Sequence, residues 1–155
     1  GSESAPDGVV NKVLTDFGMK EKPEGYVSGS DQVMQKLATV GDTEMKRLNM
    51  KARQGEVKFQ EDGIRGLYYK EVKIYERAIP LDANASGSST NDDRGYNGYI
   101  EYEYTMYQSE RQSTRAKAEA ASPTIRTDVT GRESYRYTFS AGGVWDGGEG
   151  QRVKR

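Results

Sequence analysis

Apolar residues recur at helical spacing in two stretches near the start of the chain, residues 7–18 and 30–41. One face of each stretch is apolar, which is the pattern of an amphipathic helix that packs on a core. Ser30 or Asp31 is a suitable N-cap for the second stretch, and Gly41 is a suitable end. The pattern therefore predicts two short N-terminal helices.

The residues that follow, 42–53, fit two structures. Their apolar positions allow a third helix, whereas Leu48, Met50 and Ala52 alternate as they would in a strand. We favour a strand that begins at about Leu48, because the chain beyond it alternates with a period of two.

From residue 55 onwards the sequence pattern is typical of β-strands, with β-branched and aromatic residues separated by polar ones. Residues 61–63 form a turn signal. Within the longest strand we expect a bulge near Lys70 and Glu71, and an end to central pairing at Pro80. Gly131 is expected to separate two later strands. The predicted strands cover residues 56–60, 64–81, 99–107, 124–130 and 132–141.

These elements predict an α+β fold in which two short N-terminal helices pack on a single antiparallel sheet of roughly four to six strands. Residues 115–121 fit a short helix or an extension of the preceding strand. We divide the chain into a tag remnant and disordered start (1–6), one domain (7–150) and a basic tail (151–155).

The core is expected to depend on tyrosine. Leu, Ile, Val and Phe supply only 24 of the 155 residues, whereas there are 11 tyrosines, ten of them between residues 68 and 137. The alternation places Tyr102, Tyr104, Tyr135 and Tyr137 on apolar strand faces, so these rings are predicted to form the core. Trp145 lies in a glycine-rich turn that is expected to fold back on the sheet.

Composition excludes several kinds of chemistry. The chain has no Cys and no His, which removes disulfides, thiolate nucleophiles, Cys/His zinc sites and Ser-His-Asp triads. No apolar run is long enough to span a membrane. We therefore expect a protein without catalytic activity. Export to a periplasm, lumen or surface is slightly favoured over the cytoplasm, since a trimmed leader would fit the Gly1-Ser2 start.

One polar segment, residues 82–97, is predicted to be a long surface loop that matches a calcium-binding pattern. Oxygen-bearing side chains stand at loop positions 1, 3, 5 and 12, with Gly87 at position 6. The final ligand is Asp rather than Glu, and the flanks are those of strands. Calcium is thus a weak alternative, and its candidate ligands are Asp82, Asn84, Ser86 and Asp93.

A second alternative is a carboxylate-based hydrolase. Glu101 and Glu103 stand on one face of the same strand, and paired carboxylates can perform acid–base catalysis. We favour a structural explanation in which they pair with Arg132 and Arg136 on a neighbouring strand.

The leading hypothesis is a non-catalytic accessory or binding protein that acts through its surface on a larger protein partner. Charge is unevenly distributed along the chain: the net charge of residues 1–110 is −5, and that of residues 111–155 is +4. Nucleic acid is an unlikely partner, since glutamates between the exposed tyrosines would repel phosphates. The candidate partner-binding residues are Arg111, Arg115, Lys117, Tyr99 and Tyr107.

Overall fold

A computed structural model describes residues 28–63, 65–86 and 95–154. The expected tag remnant and the expected helix at 7–18 lie outside these residues. The described part contains one antiparallel five-stranded sheet, in which the strands follow one another in chain order. The elements are α1 (Gly29–Ala52), β1 (Glu56–Asp62), β2 (Arg65–Ala85), β3 (Tyr96–Gln108), α2 (Arg115–Ala120), β4 (Ile125–Phe139) and β5 (Gln151–Val153).

Helix α1 is twice as long as the sequence predicted. It is capped by the Ser28 side chain, and its 24 residues run through Gly41 without interruption. A Cβ atom at Gly41 would stand 3.0 Å from the Cβ of Ala78, so this glycine allows the helix to approach β2 rather than ending it. The predicted strand from Leu48 is wrong, because Leu48 lies in α1 and packs against the core.

Strands β1 and β2 form the predicted hairpin, with Gly63 at a φ of 66° in its turn. The bulge expected near Lys70 is wrong: the register of β2 shifts between Tyr75 and Arg77, and again between Pro80 and Asp82. Pro80 does not end the strand. Within the described sheet, β1 pairs with β2 only as far as Glu71. At Pro80, β2 therefore pairs with β3 alone, and an edge position of this kind tolerates the missing N–H of proline.

Strand β4 is continuous through Gly131, which was expected to break it. Gly131 lies opposite Tyr104 on β3. A Cβ atom at Gly131 would stand 2.3 Å from the Tyr104 hydroxyl, so the tyrosine ring occupies the space that a side chain would need. Glycine is used here for close packing between strands and not for a turn.

The core lies between α1 and the sheet and is rich in tyrosine, as predicted. Tyr102 and Tyr137 are fully buried, and Tyr104 and Tyr135 are partly buried against them. The surprise is Tyr75, which joins this core because the bulge beside it changes which residues of β2 face the helix. The other buried members of the cluster are Val33, Leu37, Val40, Ile100 and Phe139.

Two features complete the domain. The glycine-rich turn brings Trp145 back against Tyr137, with the ring centroids 6.4 Å apart, as expected. The expected basic tail begins instead with strand β5, in which Arg152 pairs with Tyr135 of β4. Residues 115–120 form the short helix α2 that the sequence allowed.

Candidate functional site

A cleft of about 270 Å³ opens between the C-terminal half of α1 and the sheet. The helix supplies one wall, strands β2 and β4 supply a floor of tyrosines, and the segment before β5 supplies the rim. Its volume lies just below the range of about 300–1,000 Å³ that is typical of small-molecule sites, so only a small ligand would fit. The lining side chains that matter below are Glu44, Arg47, Lys51, Tyr75, Tyr137 and Glu149.

Glu44 is the most unusual of the lining residues. Only 2% of its surface is exposed, and its Oε2 atom has no hydrogen-bond partner in the described part of the chain. A terminal nitrogen of Arg47 lies 3.2 Å from that oxygen, so the two form an ion pair, but one without hydrogen-bond alignment. Burial raises the pKa of Glu44 above its ordinary 4.5, despite the opposing charge of Arg47.

A second buried carboxylate, Glu133, lies close to the tyrosine floor of the cleft. The hydroxyls of Tyr75 and Tyr135 donate to its Oε1 at 2.7 and 3.2 Å, and Lys73 donates to its Oε2 at 2.5 Å. Burial raises the pKa of Glu133, but the hydrogen bonds from Lys73 and Tyr75 and the charges of Lys73 and Arg152 outweigh burial. The net pKa lies below 4.5, so this carboxylate is charged and fully engaged.

The tyrosine hydroxyls around the cleft remain protonated at neutral pH. Burial is the largest cause that raises the pKa values of Tyr75, Tyr102 and Tyr137 above the ordinary 10. The Tyr102 and Tyr137 hydroxyl oxygens lie 2.7 Å apart. Such groups bind and orient a ligand as hydrogen-bond donors, whereas a phenolate base or nucleophile would need a lowered pKa.

The rim residues Glu149 and Gly150 lie at the end of a segment, residues 140–150, that packs against α1. Three basic side chains of α1 hold this segment. Lys36 donates to the Gly143 carbonyl at 2.5 Å, Arg47 donates to the Gly147 carbonyl at 3.3 Å, and Lys51 lies 2.7 Å from Glu149. These contacts fix the segment that carries the rim residue Glu149 on the C-terminal half of the cleft wall.

The candidate calcium ligands are not gathered by the described residues. Asp82 and Asn84 lie in β2, opposite Tyr99 and Asn97, and so belong to a strand rather than to the first turn of a loop. The Ser86 amide donates to the Gly95 carbonyl at 2.9 Å. Asp93 lies outside the described residues. Within residues 28–63, 65–86 and 95–154, no group of three acidic side chains could hold a metal ion.

The candidate partner-binding arginines have aromatic partners within the chain. The guanidinium carbon of Arg111 lies 3.7 Å from the Tyr69 ring centroid, and its Nε donates to Gln60 at 2.7 Å. Arg115 lies 5.4 Å from the Tyr68 ring centroid. Lys117 is exposed at the end of α2. The structure thus brings Arg111 and Arg115 to the hairpin of β1 and β2, and no contact of the Lys117 side chain with it is seen among the described residues.

The tyrosines proposed for the same interface lie elsewhere, in β3. The Tyr107 hydroxyl donates to Glu76 at 2.6 Å and accepts from Arg126 at 3.1 Å, which ties it to neighbouring strands. Tyr99 is half-buried opposite Arg136 of β4. Neither tyrosine contributes to the lining of the cleft.

The suggested hydrolytic pair is held by arginines. Glu101 lies 3.6 Å from Arg132, as expected, while Glu103 lies 3.6 Å from Arg77 of β2. Arg136, the other expected partner, donates instead to Gln151 of β5.

Neither Glu44 nor Glu133 was predicted from the sequence to be a site residue. Both stand at core positions of their elements: Glu44 continues the spacing of Leu37 and Val40 along α1, and Glu133 alternates inward with Tyr135. An acid on an apolar stripe is the signal that could have identified them. It was hidden for Glu44 because the helix was predicted to end at Gly41.

The fold and the cleft define a small α+β domain with a long helix on a curled antiparallel sheet and a polar, tyrosine-lined cavity between them. Comparison with protein-family models, curated proteins and solved structures finds no match. Neither helix in the described part of the chain has the length and apolar character needed to cross a membrane.

Proposed function

We propose that this protein is a non-catalytic binding domain whose ligand is a small polar molecule held in the cleft between α1 and the sheet. The observation that carries the proposal is Glu44. A buried carboxylate with an oxygen that lacks a hydrogen bond is costly, and a donor placed beside the Glu44 carboxylate in the cleft would reduce that cost.

Binding is favoured over catalysis by the state of the surrounding groups. The tyrosines have raised pKa values, and Glu133 is already occupied by Lys73 and Tyr75. A general base or nucleophile needs a free group with a pKa matched to the reaction. Glu44 alone does not supply the paired acid and base of a hydrolase.

The proposal is tested by NMR mapping of small probes on the isotopically labelled protein. The probes are n-butanol, n-butylammonium chloride and sodium butyrate, each titrated to high millimolar concentration. At least one probe is expected to shift the amide resonances of residues that line the cleft. If none does, or if all shifts lie elsewhere, the proposed function is wrong.

A pair of variants on α1 tests whether the probes bind in the cleft. Ala52 lines the cavity, so Ala52→Phe is expected to fill it and abolish probe binding. Met50 is 61% exposed and does not line the cavity, so Met50→Phe adds a similar ring without effect. Equal loss in both variants would contradict the assignment of the site.

A second candidate function, binding to a larger protein partner, is favoured by an exposed aromatic residue. The Phe59 side chain on β1 is 55% exposed, and its ring lies 5.3 Å from that of Tyr68, next to Arg115. Aromatic residues and arginine are the residue types that contribute most to protein interfaces. We call the surface formed by β1, the start of β2 and α2 the lobe. Residues 56–71 and 109–120, which contain it, carry six acidic and six basic residues. Because these charges cancel, exposed apolar surface supports the proposal better than net charge does.

This candidate is tested with a partner that affinity capture has first identified. Phe59→Ser is expected to weaken the measured affinity for that partner roughly tenfold or more, as for a hot-spot residue. Val144→Ser is the control, because Val144 is equally exposed on a different segment. If Phe59→Ser binds like the unaltered protein, the lobe is not the interface.

A further inference from the structure

The chemical class of the ligand can be inferred from what the cleft already holds and what it lacks. Its two cationic side chains, Arg47 and Lys51, are ion-paired with Glu44 and Glu149. An anionic ligand would have to displace one of these acids. Among the described residues that line the cleft, the buried side-chain atom without a hydrogen bond is an acceptor, Oε2 of Glu44, so this carboxylate is short of donors.

The surroundings of that acceptor suit a cation better than a neutral donor. Tyr75, Tyr135 and Tyr137 all line the same cavity. Aromatic rings attract cations through their quadrupoles, and the attraction grows as water is excluded. A hydrogen bond from an ammonium group to a carboxylate is roughly twice as strong as one between neutral groups.

We propose that the cleft binds a small organic cation, whose primary ammonium group pairs with the carboxylate of Glu44 while its carbon chain packs against the tyrosine rings. This inference rests on the proposed function, since it names the ligand class of the same cleft. Arg47 remains beside Glu44 as its ion-pair partner, and the carboxylate has further acceptor positions for a second cation.

The experiment compares three probes of matched size at pH 7, using calorimetry or the NMR titration. We expect n-butylammonium to bind roughly tenfold or more tightly than n-butanol, which is the scale of a hydrogen bond to a charged group. Sodium butyrate is expected to bind no better than n-butanol. Glu44→Gln keeps the size of the side chain and is expected to remove the advantage of the ammonium probe.

A charge control separates local from general electrostatics. Glu119→Gln removes an equal charge from the exposed surface of α2 and is expected to leave the preference for n-butylammonium unchanged. If the preference falls equally in both variants, Glu44 is not the ligand's partner and the inference is wrong.

The outcomes also separate this inference from the proposed function. If n-butanol binds as well as n-butylammonium and Ala52→Phe abolishes both, the cleft binds small molecules but not as a cation site. If butyrate binds best, the ligand class is reversed. If no probe binds in the cleft, the proposed function itself fails.

Discussion

The hydroxyl oxygens of Tyr102 on β3 and Tyr137 on β4 lie 2.7 Å apart inside the core, and both side chains are almost completely inaccessible to solvent. The two strands are antiparallel neighbours, and the rings come from positions that alternate inward. A chain with few aliphatic residues thus fills its core with tyrosines and satisfies their polar ends by pairing them with each other.

This pairing predicts strong coupling between the two hydroxyls. Tyr102→Phe or Tyr137→Phe leaves one buried hydroxyl without its partner, which is expected to cost about 1–3 kcal/mol of unfolding free energy. Removing both hydroxyls removes the unsatisfied group as well, so the double variant should lose less than the sum of the single losses. Urea unfolding of all four proteins measures the cycle, and simple additivity would show that the hydroxyls act independently.

Acid stability should depend on Glu133. Burial raises its pKa, but the hydrogen bonds and charges of Lys73 and its other partners lower it to a net value below 4.5. A carboxyl whose pKa is lowered by folding stabilises the folded state at pH values above its unfolded-state pKa. That contribution is lost as the pH falls from about 4.5 through the folded-state pKa.

Glu133→Gln should therefore destabilise the protein by roughly 2 kcal/mol at pH 7, the scale of a hydrogen bond to a charged group. The difference should shrink below pH 4.5. Thermal unfolding between pH 3 and 7 measures both effects, with Glu119→Gln as an exposed control. A difference that is constant with pH would mean that the charge of Glu133 contributes nothing.

The presence of strands in one antiparallel sheet could be predicted from the sequence, because alternation is a local signal. The phase of β2 could not, since the bulge beside Tyr75 depends on pairing with β3. Glycine caused the largest errors. Gly41 and Gly131 looked like element ends, but each is required by a neighbour across the core or the sheet, and such contacts are not visible in a single segment.

The site was harder to predict than the fold for a related reason. Arg111 was predicted to bind a partner because it lies in the basic part of the chain, yet it stacks on Tyr69, which is 42 residues away. Glu44 becomes notable only when α1 is known to continue past Gly41 and to bury that face. Long-range burial, rather than local composition, decides which polar groups lack partners.

Close packing of α1 on the sheet should make Gly98 intolerant of a side chain. A Cβ atom there would stand 2.6 Å from a Leu37 methyl and 3.0 Å from the Phe139 ring. Gly98→Ala is expected to cost about 1–3 kcal/mol through overpacking. Gly142→Ala is the control, since the nearest atom to its Cβ would be 3.8 Å away. Equal stability of the two variants in urea would mean that the helix moves away freely.

Calcium gives a direct test of the alternative ligand set. Asp82 and Asn84 belong to β2, so their backbone is that of an extended strand and not of the turn that a calcium loop needs. Adding millimolar calcium is therefore expected to leave the melting temperature unchanged, because a cation stabilises only the state that it binds. A rise that Asp82→Ala abolishes would restore the calcium hypothesis and contradict this expectation.

Glu44 is expected to reduce the stability of the free protein, as functional groups often do. Burial is the chief cause of its raised pKa, helped by the charge of Glu149 and opposed by Arg47 and Lys51. A carboxyl with a raised pKa binds its proton more tightly when folded, so stability falls as the pH rises from about 4.5 through the folded pKa. The other groups near it are the hydroxyls of Tyr102 and Tyr137, which stay neutral over this range.

Glu44→Gln should consequently raise the melting temperature at pH 7, and the gain should be smaller at pH 4. The lost ion pair with Arg47 spans one helical turn, and such pairs contribute only about 0.2–0.5 kcal/mol. Calorimetry of both proteins at the two pH values measures the difference. If the variant is less stable at both, Glu44 is a structural partner of Arg47; a gain at pH 7 together with lost n-butylammonium binding would identify it as a binding residue.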